Sequence, residues 1–191
     1  AKFEVTNGQW KRWICGDPRY PSPRDPKPER FPVDEFAEIL AHNWRRPIMQ
    51  ISWNDAKGVL EHFGLILPAE AQWECAARGG TSTPWYGSAD IAELAEAEFV
   101  PGIGATLAPV GTHRANPFGL HDVLGNVSEW CYDKILDGDY SNSVDPVTGR
   151  RQGVEAGGTY IYRGGNYLLA VKYARCAQRY YALPDQRVDW V

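Results

Sequence analysis

The residues of this chain that could carry redox or soft-metal chemistry are Cys15, Cys75, Cys131 and Cys176, with His42, His62, His113 and His121. Their spacing argues against joint use. No cysteine pair has the short separation of a metal motif, and no two histidines stand one helical turn apart. Cysteine also serves as a small apolar filler. The four are therefore read as free buried thiols, with two disulfides as the alternative, and the histidines as structural or exposed. No nucleophile motif of known mechanics is present, and the carboxylates form no specific pair. What remains is contact chemistry. Arg163-Gly164-Gly165-Asn166-Tyr167 opens a C-terminal segment punctuated by Arg175, Arg179, Pro184-Asp185 and Arg187. Between these stand apolar residues, tyrosines among them, that keep neither a helical nor a strand period for long. Glycine, proline and arginine suit a held loop. Exposed Tyr and Trp give a large contact area with few rotors to freeze.

Such a loop needs a frame. A chain of 191 residues fits one domain, 1–191, with room for a core. Its formal charge of −4, with no basic stripe, argues against a nucleic-acid partner. No apolar run is long enough to span a membrane. No signal peptide is visible, and a cell-surface or extracellular location is compatible with the composition. With 19 glycines and 14 prolines, turns outweigh long elements. Eight tryptophans and ten tyrosines supply an aromatic core first and a contact surface second.

Three helices are expected. Thr6 and Gln9 form a capping box that opens a short helix with Trp10, Trp13 and Ile14 on one face. Ser52 caps a second, with Asp55 in its first turn. Its apolar face is Ala56, Val59, Leu60 and Phe63, and Gly64 ends it. The third runs from Pro68 to Gly79 with Trp73, Ala76 and Ala77 inward. Residues 16–46 form a proline-rich surface excursion with one helical turn around Phe36, Ile39 and Leu40. A short helix fits Ile91 to Glu98, and 132–157 reads as polar loop. Thr159 to Tyr162 reads as a strand entering the glycine pair.

Taken in order, Glu4-Val-Thr-Asn-x-Gln-Trp10, Pro47-x-x-x-Ile-Ser-Trp-x-Asp-Ala56, Leu67-Pro-x-Glu-Ala-x-Trp-Glu-x-Ala-Ala-Arg-Gly-Gly80, Pro109-Val-Gly111, Asn116-x-Phe-Gly-Leu-x-Asp-x-x-Gly-Asn-Val-x-Glu-Trp130 and Arg163-Gly-Gly165 resemble the formylglycine-generating enzyme (sulfatase-modifying factor) domain family. The resemblance covers nearly the whole chain. It implies an α+β, C-type-lectin-like fold with low regular secondary structure, two main helices and short antiparallel strands. In that family, enzymes oxidise a substrate cysteine with copper held by two cysteines placed between the Gly-Gly and Arg-Cys/Ser-Ala motifs. Here the interval is Leu168 to Ala174 and contains no sulfur. Copper(I) needs soft thiolates, so neither copper nor formylglycine-generating activity is expected; a related branch binds iron through histidines, and because the four here are scattered, iron is not expected either. The turn Gly125 to Glu129 resembles the family's calcium site. Asn126, the backbone of Val127 and Glu129 would supply the hard oxygen ligands that suit a structural Ca²⁺. The alternative is that Asn126 and Glu129 hydrogen-bond the turn.

The C-terminal segment resembles the cassette of one non-catalytic branch of this fold, the variable proteins of diversity-generating retroelements. Aligned without gaps, its anchors fall on Arg163, Gly164, Gly165, Arg175, Ala177, Arg179, Pro184, Asp185 and Arg187. The implied variable, ligand-binding positions are Leu168, Leu169, Ala170, Lys172, Tyr173, Gln178, Tyr180, Tyr181, Ala182, Leu183, Gln186, Val188, Asp189 and Trp190. Lys172, Gln178 and Trp190 depart from an asparagine-codon template, as Asn166-Tyr167 and Val171 depart from the usual cassette. The resemblance implies a non-enzymatic protein that binds a protein or other macromolecule at this surface. Two readings stand beside it: an oxidoreductase of the same superfamily with other chemistry, and an accessory sensor domain.

Overall fold

Helix starts coincide with their capping residues. The computed structural model describes residues 1–14, 43–90, 106–135, 144–145, 148–149 and 158–191. In α1 (Asn7–Ile14), Thr6 Oγ1 accepts from Gln9 N at 3.1 Å and Gln9 Oε1 accepts from Thr6 N at 2.9 Å. The same reciprocal box opens α2 (Trp53–His62), where Ser52 Oγ takes Asp55 N at 3.1 Å and Asp55 Oδ2 takes Ser52 N at 2.8 Å. Phe63, expected on the core face of α2, is its exposed C-cap, set against the rings of His62 and Trp13. In α3 (Glu70–Arg78) Pro68 precedes the helix, and Gly79 in the left-handed region (φ 55°) stops it. Asn116 finishes that end: its Nδ2 donates to the carbonyls of Ala76 and Ala77 at 2.7 and 3.1 Å, and its Oδ1 accepts from Phe118 and Leu120 N. One side chain thus serves orphan helix carbonyls and the turn that follows it.

The expected helical turn at Phe36 to Leu40 and the helix at 91–98 lie outside the described residues, as do Cys15 and His42. Residues 132–135, expected in a loop, are strand. β1 (Glu129–Ile135), β2 (Thr159–Arg163) and β3 (Tyr180–Ala182) form an antiparallel sheet in the order β1-β2-β3. Trp130 pairs with Tyr162, and Ile161 with Tyr181. The β1 register slips between Trp130 and Lys134, which breaks the period-two pattern that would have marked the strand. No helix among the described residues is long and apolar enough to cross a membrane.

The sheet divides two cores. On one face Trp130, Tyr162 and Ala182 meet Trp10, Trp53, Ala56 and Val59 from α1 and α2. On the other, Cys131, Ile135 and Ile161 meet Trp73 and Ala77 of α3, with Trp85, Tyr86, Leu124 and Cys176. Four indoles tie these layers to distant oxygen atoms. Trp53 Nε1 donates to Cys131 O (2.8 Å), Trp130 to Ile51 O (3.1 Å), Trp85 to Val171 O (3.1 Å) and Trp73 to Glu129 Oε2 (2.7 Å). A buried indole gains by placing its N–H: three of these bonds tie β1 to α2, to α3 and to Ile51 ahead of α2, while Trp10 Nε1 is buried without a hydrogen-bond partner among the described residues.

Candidate functional site

The C-terminal segment is bolted down at Arg163, the last residue of β2. Its side chain is fully buried. Nη1 donates to the carbonyls of Cys176 and Gln178 at 2.9 and 2.8 Å. Nη2 meets Glu74 Oε2 at 2.5 Å and Glu70 Oε1 at 3.2 Å, and the guanidinium lies 5.6 Å from the Trp73 ring centroid. Glu70 also binds Arg179. Two carboxylates one turn apart on α3 therefore hold two arginines that flank the loop. Burial pushes the Glu74 carboxyl up, but hydrogen bonds from Arg78 and Arg163 outweigh it and leave the group below its ordinary value. Missing from the sequence reading were Glu70 and Glu74. Their spacing, two acids on one face beside the buried Trp73, was the available signal.

The glycine pair lets the chain pass through this crowd. Gly164 has φ 95°, and a Cβ there would stand 2.9 Å from Val123 O. At Gly165 (φ 73°) it would stand 2.9 Å from Ala174 Cβ. Asn166 is buried and accepts from Leu168 N at 3.0 Å, which turns the chain outward.

Beyond this point the expected contact residues separate. Leu168, Tyr173, Tyr181 and Leu183 are exposed, at 58%, 43%, 52% and 59%. Ala170, Lys172, Gln186 and Asp189 are exposed as well. Leu169, Gln178, Tyr180 and Trp190 are half-buried. Tyr180 stacks on Tyr162, with ring centroids 5.4 Å apart, and donates from Oη to Tyr173 O at 2.8 Å. Burial pushes its phenol up to about 12. Ala182 and Val188 correct the expectation: both lie in the first core, Ala182 on the inward face of β3, and neither offers surface to a ligand. The missing period of this segment has the same cause. Its anchors pass from one core to the other, Val171 and Cys176 to the second and then Ala182, Val188 and Val191 to the first.

The expected calcium turn is a buried hydrogen-bonded node. Asn126, at φ 52°, donates from Nδ2 to Glu4 Oε2 at 2.6 Å and accepts at Oδ1 from Ala108 N at 3.0 Å. Val127 N donates to Glu4 Oε1 at 3.0 Å. As placed, the Asn126 amide ties the turn to Glu4 and Ala108. Glu129 Oε2 is bonded to Trp73, and no group of three His, Cys, Asp or Glu side chains converges in a metal-ligand arrangement among the described residues. Burial raises Glu4 well above the ordinary carboxyl range, and the charges of Glu129 and Asp122 add to this. Burial likewise raises Glu129.

Of the thiols, Cys131 and Cys176 are free and buried, as expected, but Cys75 is exposed on α3. Burial pushes the Cys131 thiol well up and that of Cys176 to about 11. The fold brings His113 and His121 together: His113 Nδ1 lies 3.0 Å from Asp122 Oδ1, and His121 Nδ1 lies 2.7 Å from His113 O. A cavity of about 380 Å³ over the first core is lined by Trp10, Trp13, Leu60, Leu67, Glu129 and other residues, with no cysteine or histidine among them.

The profile of the sulfatase-modifying factor enzyme 1-like domain matches residues 1–191. The formylglycine-generating enzyme of Streptomyces coelicolor is 35% identical over 162 residues, 73% of this chain and 48% of that protein. The serine/threonine-protein kinase pkn1 of Chlamydia pneumoniae is 34% identical over 136 residues, 71% of this chain and 21% of the kinase. The chain thus spans about half or less of these relatives. Among solved structures, Treponema denticola variable protein 1 superposes with a TM-score of 0.73 at 22% identity, over 98% of this chain and 79% of that one. PvdO from Pseudomonas aeruginosa gives 0.66 at 26% identity, over 76% and 59%. The fold expectation holds.

Proposed function

We infer that this chain, which belongs to the sulfatase-modifying factor enzyme 1-like domain family, grips a macromolecular ligand and carries out no cysteine oxidation. On this reading it is a variable protein of the diversity-generating-retroelement kind. One observation carries the reading. The interval in which the family's copper-binding cysteines would stand, Leu168 to Ala174, holds no sulfur, and the same stretch shows Leu168 and Tyr173 to solvent. Cys176, just beyond it, is sealed in a core with its thiol held protonated by burial. Apolar side chains on a backbone fixed by Arg163 suit a pre-organised contact surface. Treponema denticola variable protein 1 shares the fold, which is consistent with this use of it.

Calcium belongs to the proposal as a structural ion. Glu129 and the carbonyl of Val127 would hold it, and Asn126 would orient the turn. Its chemistry would be to offset the interior carboxyl charge, with no part in a reaction.

The test is direct. The purified chain, supplied with copper and a peptide bearing the family's substrate cysteine, is followed by mass spectrometry; no aldehyde product is expected. Turnover to the aldehyde would overturn the reading. A second reading, an accessory domain of a larger protein, is favoured by the kinase match, which covers only 21% of that kinase. A reverse-transcriptase gene with a near-copy template repeat beside the coding sequence would favour the first reading over the second.

A further inference from the structure

The contact surface has unequal ends. At one end two acids keep their charge, because only neutral amides meet them: Asp185 Oδ1 accepts from Asn54 Nδ2 at 2.5 Å, and Asp189 Oδ1 from Gln50 Nε2 at 3.0 Å. Arg187 there is neutralised by Asp55 at 2.8 Å. Toward the other end, Arg179 is held by Glu70, while Glu74 is shared between Arg78 and Arg163. That leaves Lys172 and Arg175. Both are exposed. The Lys172 ammonium lies 4.9 Å from the centroid of the Tyr173 ring, and Arg175 Nη2 donates to Gln178 Oε1 at 3.0 Å. Neither meets a carboxylate among the described residues.

These two cations sit on backbone that cannot drift. Tyr180 Oη binds the carbonyl of Tyr173, and Arg163 holds the carbonyls of Cys176 and Gln178 on either side of Ala177. The whole chain carries a formal charge of −4, so a pair of unneutralised cations is a local reversal of sign. A partner that covered them with apolar or basic groups would leave two charges without solvent or counter-ion, a costly arrangement. A carboxylate-bearing partner gains both, and breaks no existing ion pair in doing so. Leu168 and Tyr173 on the same loop add apolar contact that a sulfated or phosphorylated polymer backbone has no groups to match.

Resting on the contact-surface reading above, we propose that the partner is an acidic segment of another protein, with carboxylates seated on Lys172 and Arg175 and apolar side chains on Leu168 and Tyr173. Electrostatic complementarity of this kind sets specificity and association rate more than raw affinity.

The probes are immobilised random copolymers of Glu with Tyr and of Lys with Tyr, together with heparin, and binding of the chain is measured at low and high salt. The Glu-Tyr copolymer is expected to bind best and to weaken as salt rises. The double substitution Lys172→Glu with Arg175→Glu should reduce its binding by about tenfold or more, with the melting temperature unchanged because both side chains are exposed. Tighter binding of the Lys-Tyr copolymer, lost on Leu168→Ser with Tyr173→Ser, overturns the acidic partner while the contact surface stands. Preference for heparin overturns the assignment to protein. Glu-Tyr binding that ignores the double substitution places the contact elsewhere and overturns the proposal. Silence of all three probes overturns it too, and weakens the contact-surface reading with it.

Discussion

Arg163, fully buried, and Glu74, at the rim of the same contact, stand 89 residues apart and meet with Nη2 at 2.5 Å from Oε2, while the buried Glu70 completes the ion pair. The pair joins the end of β2 to α3. Because the same guanidinium also holds Cys176 O and Gln178 O, it sets where the C-terminal loop leaves the sheet.

Arg163→Ala should therefore destabilise strongly. Removing one member of a buried ion pair costs about 3–5 kcal/mol, and here two carbonyls lose their donor as well. Arg163→Lys keeps the charge but lacks the planar fork, so its loss should also be large. Urea unfolding midpoints measure this; a loss for Arg163→Ala below about 1 kcal/mol, the range of an exposed pair, would contradict the clamp.

Acid should loosen the same contact. The Glu74 carboxyl is held below its ordinary value when folded, so its contribution is complete above the unfolded glutamate value and is lost as pH falls through the lower, folded one. Unfolding free energy measured as pH is lowered should fall across that window, and Glu74→Gln should flatten this part of the curve. An unchanged slope in the variant would assign the acid sensitivity to other groups.

The division of the C-terminal residues can be tested by substitution. Tyr181→Ser and Leu183→Ser, on exposed side chains, should stay within about 0.5 kcal/mol of the parent. Val188→Ala, in the first core, should cost about 1–3 kcal/mol. Equal losses at all three positions in thermal melts would mean that exposed and core positions are not separated as described.

The helices were legible because their caps are local. Thr6 with Gln9 and Ser52 with Asp55 lie three residues apart; the first box closes as read, and Ser52 caps α2 as read, with Asp55 adding a return bond beyond the first-turn charge expected of it. β1 was hidden by its register slip and by Asp133, a buried acid inside the strand whose carboxylate accepts from Glu70 N. β3 was hidden by its length, three residues just after the segment passes from one core to the other. At the site, the exposed Leu168, Tyr173, Tyr181 and Leu183 could be named from residue type. Ala182 and Val188 could not, because their burial is decided by Trp10, Ile51 and other residues far away in sequence.

Calcium, if held at the Gly125 to Glu129 turn, should raise the melting temperature reversibly. An ion binding only the folded chain stabilises it by about 2.7 kcal/mol at a hundred times its dissociation constant. Glu129→Gln should abolish the response to added calcium and to chelator. A parent whose melting ignores both would remove the ion from the account.

The four indole ties span 56 to 86 residues of sequence. Contacts of that reach form only after long loops have closed, and chains dominated by them fold slowly. Newly made chains of this protein should thus linger with their aromatic surface uncovered, and production of the folded form should respond to chaperones and to lowered temperature more than to changes at the exposed tyrosines.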